Sequence, residues 1–447
     1  MIYPGKSAVV LGLGGSGEAA AMLLVEEGAR VTVCESARTP ALESRAEALR
    51  ALGARVLFGH EAETDASRYD VCVISPGIDP SVPLVFNVAS KRIPMIGEIE
   101  LAYRRCLCPV VAITGTNGKT TTTGLATAML QAAGLKAVAS GNIGLPFSQA
   151  VRESGSLDVM VLEVSSFQLE TIRDFRPKVA AWLNLSPNHL DRYHDVAEYR
   201  AAKLRIFENQ TFEDFAVVNA CSDLPGLAAR RLTFSAMKPD ATFALKGSTI
   251  THSGRAVLDQ NATRLRGVHN AENLMAALAI GLALGVDLPK LADAVRDYSP
   301  PPHRCEFVRE RHGVLWINDS KATNLDAVEK AILSQDKPIV LIAGGKDKGF
   351  EFGPLLPLVR QRVRTAVLIG EMSARIASEW QGVNCLLSGT LEEAVALADA
   401  KASPGDIVLF SPGTSSFDMF RSYIERGECF KAAVAKLAPA TNHFITT

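Results

Sequence analysis

A glycine- and threonine-rich segment, TGTNGKT at residues 114–120, carries the strongest chemical signal in the sequence. It follows an apolar run and precedes a helical stretch, so its backbone amides can converge on phosphate oxygens. Lys119 supplies a positive charge, and the hydroxyl of Thr120 is a suitable ligand for Mg²⁺. The usual phosphate-loop pattern has glycine at the position of Ile113, so this loop is a variant of that pattern. The segment predicts ATP binding.

Two residues further along the chain are candidates for the metal ligands that a triphosphate needs. Glu163 ends the apolar run 159–162, and His189 lies in NLSPNHLDRYHD, just after another predicted strand. Because the carboxyl ends of parallel strands meet at one edge of a sheet, both side chains are expected beside the phosphate loop. A carboxylate in that place suits Mg²⁺, although a structural ion pair is the alternative for Glu163.

A second glycine cluster, Gly12-x-Gly14-x-x-Gly17, stands between a predicted strand and a predicted helix, and Glu35 ends the next strand. Backbone amides at such a helix start can approach a diphosphate. The pattern fits a nicotinamide dinucleotide and a nucleotide-diphosphate sugar equally well. A tight turn without a ligand is the third alternative, and the sequence leaves all three open.

The last third of the chain contributes three polar loops, each directly after a predicted strand. They are NDSKATN at 318–324, AGGKDKG at 343–349 and SPGTSSFD at 411–418. Loops that follow parallel strands share one rim of the sheet. Lys321, Lys346 and Lys348 make that rim positive, so a substrate with carboxylates or phosphates would fit there. Solvated loop lysines are the alternative for each of these side chains taken singly.

Three segments with alternating strands and helices must position these residues, which predicts an α/β protein with parallel sheets. We predict a Rossmann-like N-terminal domain at 1–98, a central P-loop ATPase-type domain at 99–302 and a C-terminal Rossmann-like domain at 303–447. The triple proline at 300–302 cannot continue a helix and suggests the second boundary. The predicted strands are 7–13, 30–35, 70–75, 109–113, 137–140, 158–163, 179–185, 314–318, 338–343, 366–369 and 406–410.

Composition narrows the classes of partner. Lys and Arg (47) nearly cancel Asp and Glu (48) in a chain of 447 residues, so no global field attracts nucleic acid or an anionic membrane. The N-terminus lacks a signal-peptide pattern, and the longest apolar stretch, 274–286, falls short of the roughly 20 residues of a membrane span. The eight cysteines are scattered and match no metal-site spacing. We expect a cytoplasmic monomer that acts on small molecules.

The motifs, taken in order, resemble the Mur ligase family over the whole chain. The motifs that carry the resemblance are LGLGGSG, SPGI, TGTNGKT, GNIGLP, LEVSSFQLE, HLDRYH, YRAAKLRIF, GVHNAEN, PHR, NDSKATN and SPGTSSFD. NDSKATN and the SSFD loop resemble the corresponding segments of the family branch that adds D-glutamate to UDP-N-acetylmuramoyl-L-alanine. The resemblance implies an ATP-dependent amide-bond-forming ligase of peptidoglycan precursor synthesis.

The resemblance also implies an ATP site with two Mg²⁺ ions. Thr120 and Glu163 would hold the first ion, and His189 and Lys203 the second. In this family the lysine is carbamylated, which turns a cation into an oxygen ligand; composition alone does not single out Lys203. The implied catalytic residues are Lys119, Glu163, His189 and Lys203. The implied ATP contacts are Gly115, Thr116, Asn117, Gly118, Lys119, Thr120, Thr121, Asn273, Arg304 and Asp319.

Two substrate sites follow from the same resemblance. The implied UDP-sugar contacts are Gly15, Ser16, Glu35, Ser36, Gly77 and Asn142. The implied D-glutamate contacts are Lys321, Thr323, Lys348 and Ser416. The chain departs from the family at Glu35, where an Asp is familiar, and at Tyr423, where a Phe occurs.

Three rival hypotheses remain at this stage. A nicotinamide-dependent oxidoreductase would use the first glycine cluster but leave the phosphate loop without a purpose. A nucleotide-sensing protein without catalysis would not need Glu163, His189 and Lys203. A ligase of the same family that adds a different amino acid is the third.

Overall fold

The computed structural model describes residues 3–79, 81–188, 192–224, 226–265, 267–296, 298, 302–333, 335 and 337–437. The chain divides into two compact units, 1–264 with 271–298, and 265–270 with 299–447. Two sheets lie in the first unit and one in the second. The predicted α/β class is confirmed, and the domain boundaries at 98/99 and 302/303 stay predictions. In the described part of the chain, no helix is long and apolar enough to cross a membrane.

The first sheet has five parallel strands in the order β3-β2-β1-β4-β5. Its elements are β1 Ser7–Leu11, α1 Gly15–Glu26, β2 Arg30–Glu35, α2 Pro40–Ala51, β3 Arg55–Phe58, α3 Gly59–Glu63, β4 Val71–Ile74, α4 Pro83–Ser90, β5 Met95–Gly97 and α5 Glu98–Tyr103. The central strand β1 is fully apolar apart from Ser7, and buried side chains cover it on both faces. The turn after β1 therefore lies at the carboxyl edge, between the ends of β2 and β4.

The second sheet has nine strands in the order β14-β13-β12-β11-β10-β9-β6-β8-β7. Its elements begin with β6 Val110–Thr114, α6 Lys119–Ala132, β7 Ala137–Gly141, α7 Phe147–Ala150, β8 Val159–Glu163, α8 Ser166–Leu169, β9 Val179–Trp182, α9 Val196–Leu204 and β10 Phe215–Asn219. They continue with β11 Arg230–Ser235, β12 Phe243–Lys246, β13 Thr249–His252, β14 Arg255–Asp259, α10 Val268–Ala283 and α11 Leu288–Ala294. Strand β6 pairs in parallel with both β8 and β9, so the loops after these three strands are neighbours.

The short helix α5 connects the first sheet to the second within the first unit, through two buried carboxylates. Glu100 is fully buried, and its carboxylate accepts hydrogen bonds from the backbone N–H groups of residues 173–175 and from Arg104. Glu98 is also buried, and its Oε1 accepts from Ser148 N at 2.5 Å. Its Oε2 has no hydrogen-bond partner among the described residues. Burial raises the pKa of Glu98 to about 7.

We expect Glu98→Gln to stabilise the protein at alkaline pH. Because the pKa of Glu98 is about 7 when folded and about 4.5 when exposed, its stabilising effect is complete below pH 4.5. That effect is lost as the pH rises through 7. The amide of Gln does not ionise. When the pH is raised from about 5 to about 8, the free energy of unfolding of the variant should therefore increase by roughly 2 kcal/mol relative to that of the wild type. Thermal unfolding of both proteins at the two pH values measures this difference.

Glu100→Gln is the matched control, because it weakens the contacts of a carboxylate in the same helix. It should lower the unfolding temperature at both pH values. A Glu98→Gln shift that is equal at pH 5 and pH 8 would contradict the account of the buried acid.

The sheet of the second unit has six strands in the order β15-β16-β20-β17-β18-β19, and all but β15 are parallel. Its elements are β15 Glu306–Arg311, β16 Val314–Asn318, α12 Leu325–Leu333, β17 Ile339–Gly344, α13 Leu356–Arg362, β18 Val363–Ile369, α14 Ser373–Glu379, β19 Cys385–Ser388, α15 Leu391–Lys401, β20 Ile407–Phe410 and α16 Tyr423–Lys436. Strands β16, β20 and β17 are adjacent. The three polar loops that follow them, 318–324, 343–349 and 411–418, are called the rim loops below.

Candidate active site

The phosphate loop is a tight connection between β6 and α6. Gly115 has φ +155° and Gly118 has φ +83°, which other residues rarely adopt. A Cβ on Gly118 would overlap the Asn273 side chain, and a Cβ on Gly115 would lie 3.0 Å from Leu183 Cβ. Ile113, by contrast, is buried within β6. The loop therefore needs its first glycine at 115 rather than 113, which explains the variant pattern.

Lys119 begins α6 and folds back over the loop. Its Nζ donates to Gly115 O at 3.0 Å and to Thr116 O at 2.9 Å. The ammonium group therefore lies at the helix start, where backbone amides already favour an anion. This placement suits a phosphate of ATP.

Two residues that sequence reasoning missed hold the loop in shape. Asn184 accepts from Asn117 N at 2.9 Å and donates to Asn117 O at 3.1 Å. Thr116 Oγ1 accepts from Ser186 N at 3.0 Å and donates to Ser186 O at 3.2 Å. Both missed residues lie in the loop after β9, two and four positions beyond Trp182. The strand-end rule that pointed to His189 could therefore have found them too.

Two buried polar atoms beside this loop have no hydrogen-bond partner among the described residues. They are Asn117 Nδ2 and Ser186 Oγ. Since buried polar groups are nearly always paired, such atoms indicate that something else provides their partners. A nucleotide with phosphate oxygens is chemically suited to that role.

Glu163 receives two hydrogen bonds at the end of β8. Thr120 Oγ1 donates to its Oε2 at 2.6 Å, and Asn142 Nδ2 donates to its Oε1 at 2.9 Å. The Glu163 side chain is 4% exposed. A hydroxyl and a carboxylate are hard oxygen ligands, and Mg²⁺ usually completes such a pair with phosphate oxygens and water. The residues fit one Mg²⁺.

The described residues contain no group of three or more His, Cys, Asp or Glu that could hold a metal. His189, predicted as a ligand of a second ion, lies outside the described residues. The arrangement around a second ion therefore stays a prediction.

Lys203 lies under the phosphate loop, at the end of α9. It is 1% exposed, its Nζ donates to Gly115 O at 3.0 Å, and Nζ lies 4.7 Å from the centroid of the Tyr199 ring. Burial and the nearby charge of Lys119 lower the pKa of Lys203 well below its usual value, and Glu163 opposes this only in part. Among the described residues no carboxylate forms a salt bridge with Lys203, and burial of an unpaired ammonium group is costly. The environment of Lys203 therefore favours its neutral amine over the ammonium form.

The predicted UDP-sugar positions other than Asn142 lie at the carboxyl edge of the first sheet. Gly15 and Ser16 begin α1, Ser36 follows β2 and Gly77 follows β4. Glu35 contacts this turn directly, because its Oε2 accepts from Leu13 N at 2.8 Å. Its Oε1 accepts from Ala37 N at 3.0 Å. The Glu35 carboxylate thus shapes the turn that precedes the α1 helix start.

In the second unit, Asp319 is buried at the end of β16. Its carboxylate accepts from Ser411 Oγ at 2.8 Å and from Cys305 N at 3.2 Å. Burial raises the pKa of Asp319 to about 7, although these hydrogen bonds and Arg304 oppose the rise. Asp319 therefore joins two of the rim loops.

The predicted D-glutamate positions are distributed over all three rim loops. Lys321 lies with its Nζ 3.8 Å from the centroid of the Tyr423 ring. Thr323 is half-buried, Lys348 is exposed and Ser416 is buried. The loops meet where Lys346 N donates to Ser415 O at 3.0 Å. The rim thus presents both hydroxyl and ammonium groups.

Comparison with known proteins identifies the chain. Three family models match it: the Mur ligase MurD-like N-terminal domain at 6–97, the Mur ligase middle domain at 113–281 and the Mur ligase glutamate ligase domain at 303–413. A UDP-N-acetylmuramoylalanine–D-glutamate ligase of Geotalea uraniireducens (strain Rf4) is 45% identical over 442 residues, which cover 97% of this chain and 98% of that protein. This chain belongs to the Mur ligase family. The enzyme of the same name from Geobacter metallireducens is 44% identical over 447 residues, 98% of this chain and 99% of the relative.

Solved structures of other Mur ligases share the fold. The MurF ligase of Thermotoga maritima, solved with ADP, superposes with a TM-score of 0.61 at 17% identity and covers 96% of this chain and 98% of its own. The UDP-N-acetylmuramate–alanine ligase MurC of the same organism gives a TM-score of 0.59 at 19% identity, covering 95% and 98%. The predicted resemblance and fold class are thereby confirmed.

This Mur ligase brings one set of the predicted site residues together within its first unit. The phosphate loop and the start of α6 supply residues 115–121. The predicted residues that lie around them are Asn142, Glu163, Lys203 and Asn273. The other positions predicted for the UDP-sugar lie on the first sheet. Arg304, Asp319 and the predicted D-glutamate contacts belong to the second unit. Their individual roles stay predictions.

Proposed function

We propose that this chain is an ATP-dependent ligase that joins D-glutamate to UDP-N-acetylmuramoyl-L-alanine in peptidoglycan precursor synthesis. The observation that carries this proposal is the phosphate loop with Lys119, Thr120 and Glu163 gathered around it. Relatives that match the chain almost end to end are named as ligases for this substrate pair. The two together support both the use of ATP and the bond that is made.

A bare carboxylate is a poor electrophile, so the reaction needs ATP to supply a leaving group. The alanyl carboxylate attacks the γ-phosphorus, its oxygen forms the new P–O bond, and ADP departs. The product is an acyl phosphate. The amine of D-glutamate then attacks the acyl carbon, the tetrahedral intermediate expels inorganic phosphate, and the amine loses a proton. The net products are the amide, ADP and phosphate.

The attacking carboxylate and the triphosphate are both negatively charged and repel each other. The residues of the phosphate loop reduce this repulsion. Lys119 and the amides at the start of α6 place positive charge where the phosphates would lie. The buried donor Asn117 Nδ2 is suited to a phosphate oxygen. Because these groups are fixed before the reaction, they need no reorganisation in the transition state.

Thr120 and Glu163 are the residues that would hold a first Mg²⁺, and His189 with a carbamylated Lys203 would hold a second. A bound Mg²⁺ neutralises triphosphate charge and polarises the γ-phosphoryl group. Lys203 becomes an oxygen ligand when its neutral amine adds to carbon dioxide and releases one proton. Burial and the nearby charge of Lys119 lower the pKa of Lys203 and so favour the neutral amine that this addition requires.

D-Glutamate suits the rim loops because it carries two carboxylates. Lys321 and Lys348 supply ammonium groups, while Thr323 and Ser416 supply hydroxyl groups. The reaction belongs in the cytoplasm, where ATP is available. A monomer stays our prediction for the assembly.

An isotope experiment tests this proposal. With ¹⁸O in the alanyl carboxylate of the UDP-sugar substrate, ATP and D-glutamate, one ¹⁸O atom should appear in each released phosphate. Amide formation without ¹⁸O in the phosphate would contradict the acyl-phosphate route. The absence of amide product would contradict the proposed function itself.

A further inference from the structure

A buried arginine in the second unit makes contacts that the proposed reaction has not used. Arg426 lies in the first turn of α16 and is 1% exposed. Its Nη2 donates to Ser320 O at 2.8 Å, its Nε to Ser320 Oγ at 3.1 Å, and its Nη1 to Thr414 O at 3.1 Å. One guanidinium group therefore joins the first and third rim loops.

The second rim loop packs against the same guanidinium group. Gly345 has φ +138°, and a Cβ at this position would lie 3.2 Å from Arg426 Nη1 and overlap Ser415 O. Only glycine lets the loop approach this closely. The next residue, Lys346, donates its backbone N–H to Ser415 O at 3.0 Å. Arg426 thus lies where all three rim loops converge.

The guanidinium group of Arg426 is buried among uncharged hydrogen-bond acceptors. Its three acceptors are carbonyl or hydroxyl oxygens, and among the described residues no carboxylate accepts a hydrogen bond from this side chain. Burial lowers the pKa of Arg426 to about 10, although Asp418 and Asp319 act against this. The group remains charged at neutral pH. Burial of such a cation lowers the stability of the folded protein through desolvation. We therefore expect Arg426 to have a structural or functional role that offsets this cost.

The residues that accept hydrogen bonds from Arg426 lie one or two positions before predicted D-glutamate contacts in the chain. Lys321 follows Ser320, and Ser416 lies two residues after Thr414. Ser320 Oγ also donates to Tyr423 O at 2.8 Å, while the Tyr423 ring contacts Lys321 Nζ. A planar guanidinium group fixes several acceptors in one geometry, which the point charge of lysine does not.

We propose that Arg426 is a positioning residue that sets the spacing of the three rim loops and thereby the affinity for the incoming amino acid. This inference rests on the proposed function, because the rim loops are taken to receive D-glutamate. Arg426 is too deeply buried to contact that substrate in this conformation. It acts through Ser320 and Thr414.

Steady-state kinetics of Arg426→Lys tests the proposal. The lysine keeps the charge but does not span both loops, so the KM for D-glutamate should rise about tenfold or more. The KM for UDP-N-acetylmuramoyl-L-alanine, whose predicted contacts lie in the first unit, should change less than about twofold. Arg309→Lys is the matched control, since Arg309 Nη1 donates to Val434 O near the other end of α16. It should leave both KM values unchanged.

A milder variant covers the case in which Arg426→Lys does not fold. Ser320→Ala removes one acceptor of Arg426 and leaves the two backbone carbonyls. It should raise the KM for D-glutamate about threefold. A folded variant with an unchanged KM for D-glutamate, or with equal increases in both KM values, would overturn the proposal.

Hydrogen exchange separates this proposal from the proposed function. Amides of the rim loops should exchange faster in Arg426→Lys than in Arg309→Lys, and this readout needs no substrate. Equal exchange in the two variants would contradict the positioning role. A wild type that does not use D-glutamate would overturn the proposed function, while the exchange result would still decide the role of Arg426.

Discussion

Lys119→Ala is expected to lower kcat by about 10³-fold while the protein remains folded. The side chain folds over the phosphate loop with two hydrogen bonds to backbone carbonyls, where it would face the charge that develops during phosphoryl transfer. Loss of one such stabilising group typically costs about 10²–10³ in rate. ADP release under saturating substrates measures the effect, and thermal unfolding reports whether the fold survives.

Lys246→Ala is the control for this substitution. Lys246 ends β12 in the same unit and is exposed, so its removal should leave kcat within about twofold of the wild type. Near-normal turnover of Lys119→Ala would contradict the assignment of the phosphate loop to ATP. A loss of the folding transition in Lys119→Ala would show that its main role is structural.

The second large effect is expected for Lys203→Ala, with a loss of about 10²–10³ in kcat. This loss should be partly restored by millimolar formate or acetate. Removal of the side chain leaves space beneath Gly115 and deletes the carbamate proposed as an oxygen ligand. A short carboxylate can enter that space and supply the missing oxygen atoms. Initial rates measured over a series of carboxylate concentrations test this.

Lys119→Ala serves again as the matched comparison, because its missing group is a cation that carboxylates do not replace. It should show no rescue. If Lys203→Ala also shows no rescue, the carbamate proposal fails, while the ligase assignment remains. Full activity of Lys203→Ala without additive would contradict any role of this residue in the site.

The strands that the sequence predicts well are those with continuous apolar runs. The predicted strand 314–318 agrees with β16, because a run of apolar residues of this length is typical of a strand within a parallel sheet. The sequence predicts no individual strand for β3, β5, β10 to β15 or β19. Among these, β3, β5 and β19 contain only three or four residues each, and β19 is partly exposed, so their pairing depends on neighbouring strands rather than on a local pattern.

The same contrast holds for the site. The phosphate loop and Glu163 could be predicted because glycine spacing and strand ends are local features of the sequence. Lys203 and Arg426 could not, since a lysine or arginine on a helix is normally solvated. Their burial arises from tertiary packing against loops about 90 and 106 residues away in the chain. For Lys203 only the family resemblance suggested a role.

Family membership also decides between the rival hypotheses. The glycine cluster after β1 fits both a dinucleotide and a nucleotide-diphosphate sugar. The match of the whole chain to Mur ligases excludes the nicotinamide-dependent oxidoreductase as its class. Relatives that match almost the whole chain are named as ligases, which argues against a nucleotide-sensing protein without catalysis. The remaining competitor is a ligase of the same family with another amino acid.

Phosphate release with UDP-N-acetylmuramoyl-L-alanine, ATP and a panel of amino acids tests the central claim most directly. D-Glutamate should stimulate release and yield a product that is heavier by one glutamyl residue. L-Glutamate, D-aspartate, L-alanine and meso-diaminopimelate should give rates near background. Strong stimulation by one of these four and none by D-glutamate would contradict the claim.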